Sequence, residues 1–193
     1  MAKELIVQLD EYRELGIQAY QKSGFERASL IANATSGLEK ALTPAFMKPF
    51  MDLQGKNYGF KSDKIYDEAT VKHCLIEAVM MGVEPVGNHF NIIAKNSYIT
   101  KEGFGFLLKQ IQGLSYRITP GVPRISGQSA LIEMKVSWTM GGVKQEEKLN
   151  LPIKVNSFMG PDAVIGKATR KARKWLFETI TGSEVPDGDI TEA

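Results

Sequence analysis

Apolar residues recur at helical spacing through the first part of the chain and alternate with polar ones through much of the second. Leu5, Leu9, Tyr12, Gly16 and Ala19 share one face of a 3.6-residue period and predict a helix from about Lys3 to Tyr20. The stretch SGFE predicts a capping box, with Ser23 as N-cap and Glu26 reaching back. Leu30, Ile31, Ala34, Leu38 and Ala41 supply the apolar stripe of the helix behind it. Thr43-Pro44 opens a short third helix, with Pro where its missing N–H costs nothing. A polar, glycine-containing loop follows, and Asp67 caps a helix that runs to a stop at Gly82.

Beyond Gly82 the period shortens. NHFNIIAK reads as a strand, Asn96-Ser97 as a tight connection, and YIT as a second short strand. KEGFGFLLKQIQG reads as a helix despite two glycines, because Phe104, Leu107, Leu108 and Ile111 share a face. LSYRIT is a strand, and Arg124 lies in a loop. Ala130, Ile132, Met134, Val136 and Trp138 then alternate with Glu133, Lys135, Ser137 and Thr139, the signature of a half-buried strand. Gly141-Gly142 turns the chain into a partner strand, where Pro152 requires a sheet edge. A last helix covers about Pro161 to Ile180. The acidic tail over residues 181–193 has too little apolar surface to fold, so a disordered tail is expected. The class is α+β, a small, mostly antiparallel sheet with helices packed against it. One domain is expected over residues 1–180, with a helical N-terminal part (1–60) and a core over 67–180.

Composition narrows the functional classes. The net charge of the 193 residues is only +2, but the last thirteen contribute four acids and no base, which leaves +6 on residues 1–180. A moderately basic body is compatible with an anionic partner. The single Cys74 excludes an internal disulfide framework and fits a reducing, cytoplasmic compartment. No apolar run has the length of a membrane span, and the first sixteen residues lack a signal peptide's apolar stretch. There is no phosphate-binding G-x-x-x-x-G-K-[ST] loop and no G-x-G-x-x-G, so no nucleotide cofactor is expected. Two histidines and one cysteine do not make a standard zinc site. His73 and Cys74 are adjacent on a helix and point about 100° apart, which argues against a nucleophile pair. No acid–base pair emerges, and the sequence does not read as an enzyme.

The concentration of charge in GKATRKARKWLF is the most informative feature. Lys167, Arg170, Lys171 and Lys174 fall at i, i+3, i+4 and i+7, with Arg173 flanking, while Ala168, Ala172, Trp175 and Leu176 occupy the opposite half. The pattern predicts an apolar face toward the core and a cationic face outward. Like charges four residues apart cost a helix a few tenths of a kcal/mol each, a cost that a polyanion relieves. Lys95, Asn96, Tyr98 and Lys101 near the tight connection, Arg117 in a strand, and Lys135 on the polar strand face could extend the surface. Aromatic and amide groups there would hold unpaired bases without reading sequence.

Two blocks carry a resemblance. GVEPVGNHFNIIAKNSYITKEGF resembles the core block of the phage-type single-strand annealing proteins of the RecT/Red-beta family. In that block a helix ends in Gly-aliphatic-acid/amide-Pro (here Gly82 to Pro85), a strand hairpin follows (here Asn91 to Ile99), and an acid-Gly-aromatic stretch (Glu102-Gly103-Phe104) opens the next helix. GKATRKARKWLF is similar to the family's late helix, with Lys167, Ala168, Ala172, Lys174 and Phe177 matching best. Glu102 is acidic where some relatives carry Arg. The resemblance covers about residues 67–180. It implies an ATP-independent protein that coats single-stranded DNA, pairs complementary strands through an annealed duplex intermediate, and assembles as a homo-oligomeric ring or helical filament, for which the helical part over residues 1–60 is the candidate for subunit contacts. It further implies a phage exonuclease or host single-strand-binding protein as partner, and no membrane. The residues alone also fit a protein that coats single-stranded DNA or RNA without annealing. A further alternative is an assembly protein whose basic helix meets an acidic partner; an enzyme would need Glu77, Glu84 or Glu102 to converge, which nothing in their spacing forces.

Overall fold

The computed structural model describes residues 2–19 and 22–185, which form two compact units, one ending at Gly103 and the other running from Phe104 to Val185. This division falls inside the span expected as one core. No composition shift or linker marks it, because it lies within a regular helix.

The N-terminal unit begins with three helices, α1 (Ala2–Ala19), α2 (Gly24–Ala41) and α3 (Pro44–Met51). Ser23 stands at the N-cap of α2, but its side chain makes no capping hydrogen bond, and Glu26 pairs with Lys22 at 2.8 Å instead. The expected capping box does not form, because an i,i+4 cation competes for the carboxylate. Thr43 and Asp67 do cap, accepting from the backbone N–H groups of Phe46 and Thr70. A short strand β1 (Lys61–Ser62) precedes α4 (Glu68–Met80), whose Val71, Cys74, Leu75 and Ala78 are buried at i, i+3, i+4 and i+7. Burying each of the larger of these contributes about 1.5–3 kcal/mol. Strands β2 (Phe90–Ile93) and β3 (Asn96–Ile99) pair antiparallel, and β1 joins β2 in parallel to complete a three-stranded sheet. Phe60 and Phe90 stack with ring centroids 5.0 Å apart at the centre of this unit. His73 is exposed beside Glu77, whereas Cys74 is buried, so the adjacent pair does not converge.

The turn between β2 and β3 is Ala94-Lys95, two residues earlier than the expected Asn96-Ser97 connection. Helix α5 (Lys101–Gln110) follows, capped by Thr100, whose hydroxyl accepts from the Gly103 N–H at 3.1 Å.

In the C-terminal unit, β4 (Ser115–Pro120), β5 (Arg124–Ser126), β6 (Ser129–Met140) and β7 (Val143–Lys154) form an antiparallel sheet. β6 is its central strand: β4 and β5 share one side of it and β7 pairs along the whole of the other. Arg124 therefore lies in a strand rather than in a loop; its flanking Pro and Gly hide a pairing only three residues long. The predicted alternation holds, with Ala130, Ile132, Met134, Val136 and Trp138 buried. Gly141 and Gly142 both take positive φ, as a two-residue hairpin with the strands' twist requires. The last helix, α6 (Pro161–Thr181), packs on the buried face of the sheet and ends at Gly182 in the left-handed conformation.

Residues 182–185, expected as the start of a loose tail, are held instead. Val185 is buried and donates its N–H to Glu178 Oε1 at 2.8 Å. The remainder of the expected tail, residues 186–193, lies outside the described residues. The whole is α+β with a helical N-terminal region, and no described helix is long and apolar enough to cross a membrane.

Candidate nucleic-acid interface

Helix α6 starts at Gly160-Pro161, with Pro at a position that needs no N–H and Asp162 in the first turn. Val164, Ala168, Ala172 and Leu176 recur every fourth residue and are fully buried. Trp175 meets Trp138 edge-on at 5.7 Å between centroids. The apolar half of the predicted wheel therefore faces the sheet as expected.

The cationic half does not all face outward. Lys167 is exposed, but Arg170 retains only 5% of its surface and holds its guanidinium 5.6 Å from the Phe104 ring centroid. Phe104 in turn packs against Phe177. The Lys174 side chain is only 13% exposed and pairs with Glu178 at 3.6 Å. Lys171 donates to the Pro152 carbonyl at 3.5 Å, and Arg173 lies across α5, where a Cβ on Gly105 would fall 2.8 Å from its Nη1. A helical wheel treats every cation as solvent-seeking. Long stems can lie along apolar surface, and an arginine over an aromatic face gains up to about 2 kcal/mol when desolvated. The aromatic and the glycine of EGFGF supply that cover.

The other sequence-predicted residues of this unit stand on the sheet face turned away from α6. Directly opposed residues of an antiparallel pair point to the same side. Lys135 and its cross-strand partner Lys148 therefore share the outer face with Arg117, whose partner is Ser137. All three are exposed. The same registers place Arg124, Lys144 and Lys154 there too, opposite Leu131, Thr139 and Ser129. Only two carboxylates accompany them, Glu146 at 2.9 Å from Lys135 and Glu133 at 3.9 Å from Lys148. Sequence reasoning missed Arg124, Lys144, Lys148 and Lys154. The signal existed, since the polar face of β6 was legible, but registers across the sheet were needed to gather the four.

Lys95, Asn96, Tyr98 and Lys101 belong to the N-terminal unit. Ala94 and Lys95 take φ of 49° and 66°, the left-handed region that a two-residue hairpin demands and that glycine or asparagine normally fills. Several groups hold this turn. Asp63 Oδ2 accepts from the Ala94 N–H at 3.3 Å, and Tyr66 Oη accepts from the Lys95 N–H at 3.2 Å. The Tyr66 hydroxyl donates to Asp63 Oδ1 at 2.7 Å, which holds the Asp63 carboxyl below its usual range. Cys74 Sγ donates to the Lys95 carbonyl at 3.4 Å. Burial, with Glu77 adding, pushes that thiol up to about 12, so it stays protonated as a donor. Asn96 Nδ2 closes the turn on the Ala94 carbonyl at 2.9 Å. Lys95 and Asn96 are exposed at the tip and Tyr98 is half-buried, while Lys101 is exposed beside Glu102. Of the carboxylates considered for an enzyme, Glu77 is bound to His73 and Glu84 lies 4.0 Å from Arg13.

No protein-family model matches the chain, and neither the curated proteins nor the solved structures contain a significant match to it.

Proposed function

We propose that the protein binds single-stranded DNA along its phosphate backbone and anneals complementary strands without ATP, as a cytoplasmic homo-oligomer in phage-type recombination. The observation that carries this reading is the hairpin turn. A lysine is held at an exposed tip in a left-handed conformation costing on the order of 1 kcal/mol, inside the block that resembles the annealing proteins. Backbone kept in such a conformation by surrounding groups is characteristic of ligand clamps and other working sites. The Ala94-Lys95 turn is fastened by an aspartate, a tyrosine and a cysteine that all lie outside the hairpin. Lys167, the exposed member of the α6 stripe, is the second anchor.

Annealing asks for phosphates held and base edges left open, so that complementarity is read by pairing. A side chain that reaches backbone and no base suits that demand. The test compares the wild type with Lys95→Ala combined with Lys167→Ala, using naked complementary oligonucleotides in the absence of ATP. The double substitution is expected to slow annealing about tenfold and to flatten the salt dependence of single-strand binding by about two units of slope. Unchanged annealing by the folded double variant contradicts the reading. Strong binding by the wild type without annealing would favour a coating protein instead.

A further inference from the structure

We infer that the outer face of the four-stranded sheet is a second nucleic-acid surface, one that takes the sugar–phosphate backbone and is indifferent to whether the bases are paired. The inference rests on the nucleic-acid reading above but uses other residues. Six cations, Arg117, Arg124, Lys135, Lys144, Lys148 and Lys154, share this face with two carboxylates. Along β6 the outward rows run from Ser129 to Thr139, about 34 Å at 3.4 Å per residue. Every row except that of Glu133 carries a cation, so positive charge recurs along the whole length. That length is about one turn of a duplex.

Two features point to a polyanion rather than to plain solvation. Lys135 stands directly opposite Lys148, a like-charge cross-strand pair that destabilises a sheet. Glu133 and Glu146 each bind one of these lysines, so the face has no further carboxylate for Arg117, Arg124, Lys144 or Lys154. The third feature selects the mode of contact. The remaining outward positions are Ser, Thr and Asn residues with Leu131 and Pro152, and none is aromatic. Surfaces that hold unpaired bases do so by stacking them on aromatic rings. This face cannot stack, and its cations and hydroxyls match phosphate and sugar oxygens. It should therefore take a paired strand as readily as an unpaired one.

The test measures binding of the full chain to a labelled oligothymidine and to a duplex of equal length, over a series of salt concentrations. The variant is Arg124→Gln, Lys144→Gln and Lys154→Gln together, all exposed. A control of equal charge change, Lys40→Gln, Lys48→Gln and Lys56→Gln, alters exposed lysines of the N-terminal unit. Thermal melts of both establish folding. The sheet variant is expected to lose about tenfold or more in affinity for both probes, with slopes shallower by about two to three, while the control keeps wild-type affinity. No loss, an equal loss in the control, or a loss confined to the single strand overturns the inference. So does a sheet variant that loses binding to polyglutamate but not to DNA, which would make the face a site for an acidic protein. If the wild type binds neither probe, the nucleic-acid reading itself falls. If the wild type binds and anneals and the sheet variant matches it, only the second surface is wrong.

Discussion

Single residues in EGFGF show how a local oddity becomes a packing requirement. A Cβ on Gly103 would be driven into the backbone carbonyl of His89, which cannot move without the hairpin. A Cβ on Gly105 would meet only the far end of the Arg173 side chain, which can swing away. Alanine improves helix propensity by about 1 kcal/mol over glycine at either site. Gly103→Ala should therefore cost about 1–3 kcal/mol net, and Gly105→Ala should lie within about 0.5 kcal/mol of the wild type, as read by urea unfolding. The reverse order would contradict this packing. His89 gives a pH dependence. Burial lowers its pKa below the ordinary 6.5, and its Nδ1 accepts from the Glu84 N–H. Folding thus favours the neutral ring. The stabilisation is full above the ordinary histidine value and is lost as pH falls through the lower folded value. The urea midpoint should fall as pH drops from 7 toward 5, and His89→Gln should flatten that slope; an unchanged slope would remove His89 from the account. Neither glycine's role was legible in the sequence, because each depends on a neighbour distant along the chain or on another helix.

Among the elements, the β2–β3 hairpin carries the most strain and offers the clearest check. Ala94→Gly removes the penalty of a left-handed alanine and leaves every hydrogen bond of the turn in place, since those at position 94 use backbone atoms. Stability should rise by about 0.5–1 kcal/mol in thermal or chemical denaturation. A loss would mean that the turn is not strained. The sequence set the turn at Asn96-Ser97 because those residue types favour turns and Ala-Lys does not. What fixes it earlier is Asp63 and Tyr66, some thirty residues upstream. Helix α6 teaches the complementary lesson. Its span and its apolar face were readable from periodicity, whereas the direction of its cations was not. Arg170 and Arg173 are covered by Phe104 and Gly105 of α5, and no wheel contains a neighbouring helix. In β6 the same kind of reading succeeded, because a strand's faces are fixed by alternation alone.

At the scale of the whole molecule, the α+β class and the order of the elements other than the short strands β1 and β5 followed from the sequence, and the division after Gly103 did not. The candidate surface changed more. Of the basic helix, Lys167 remains exposed, and the broad field of positive charge lies instead on the outer sheet face. The N-terminal unit contributes Lys95 at a fastened turn. On the proposed reading each of these meets backbone phosphates. The most direct test of the account mixes two complementary, protein-free oligonucleotides with the wild-type protein and no ATP, and follows duplex formation against the spontaneous rate. The account predicts marked acceleration at low salt that fades as salt rises. A protein that leaves the spontaneous rate unchanged at every salt concentration would contradict it.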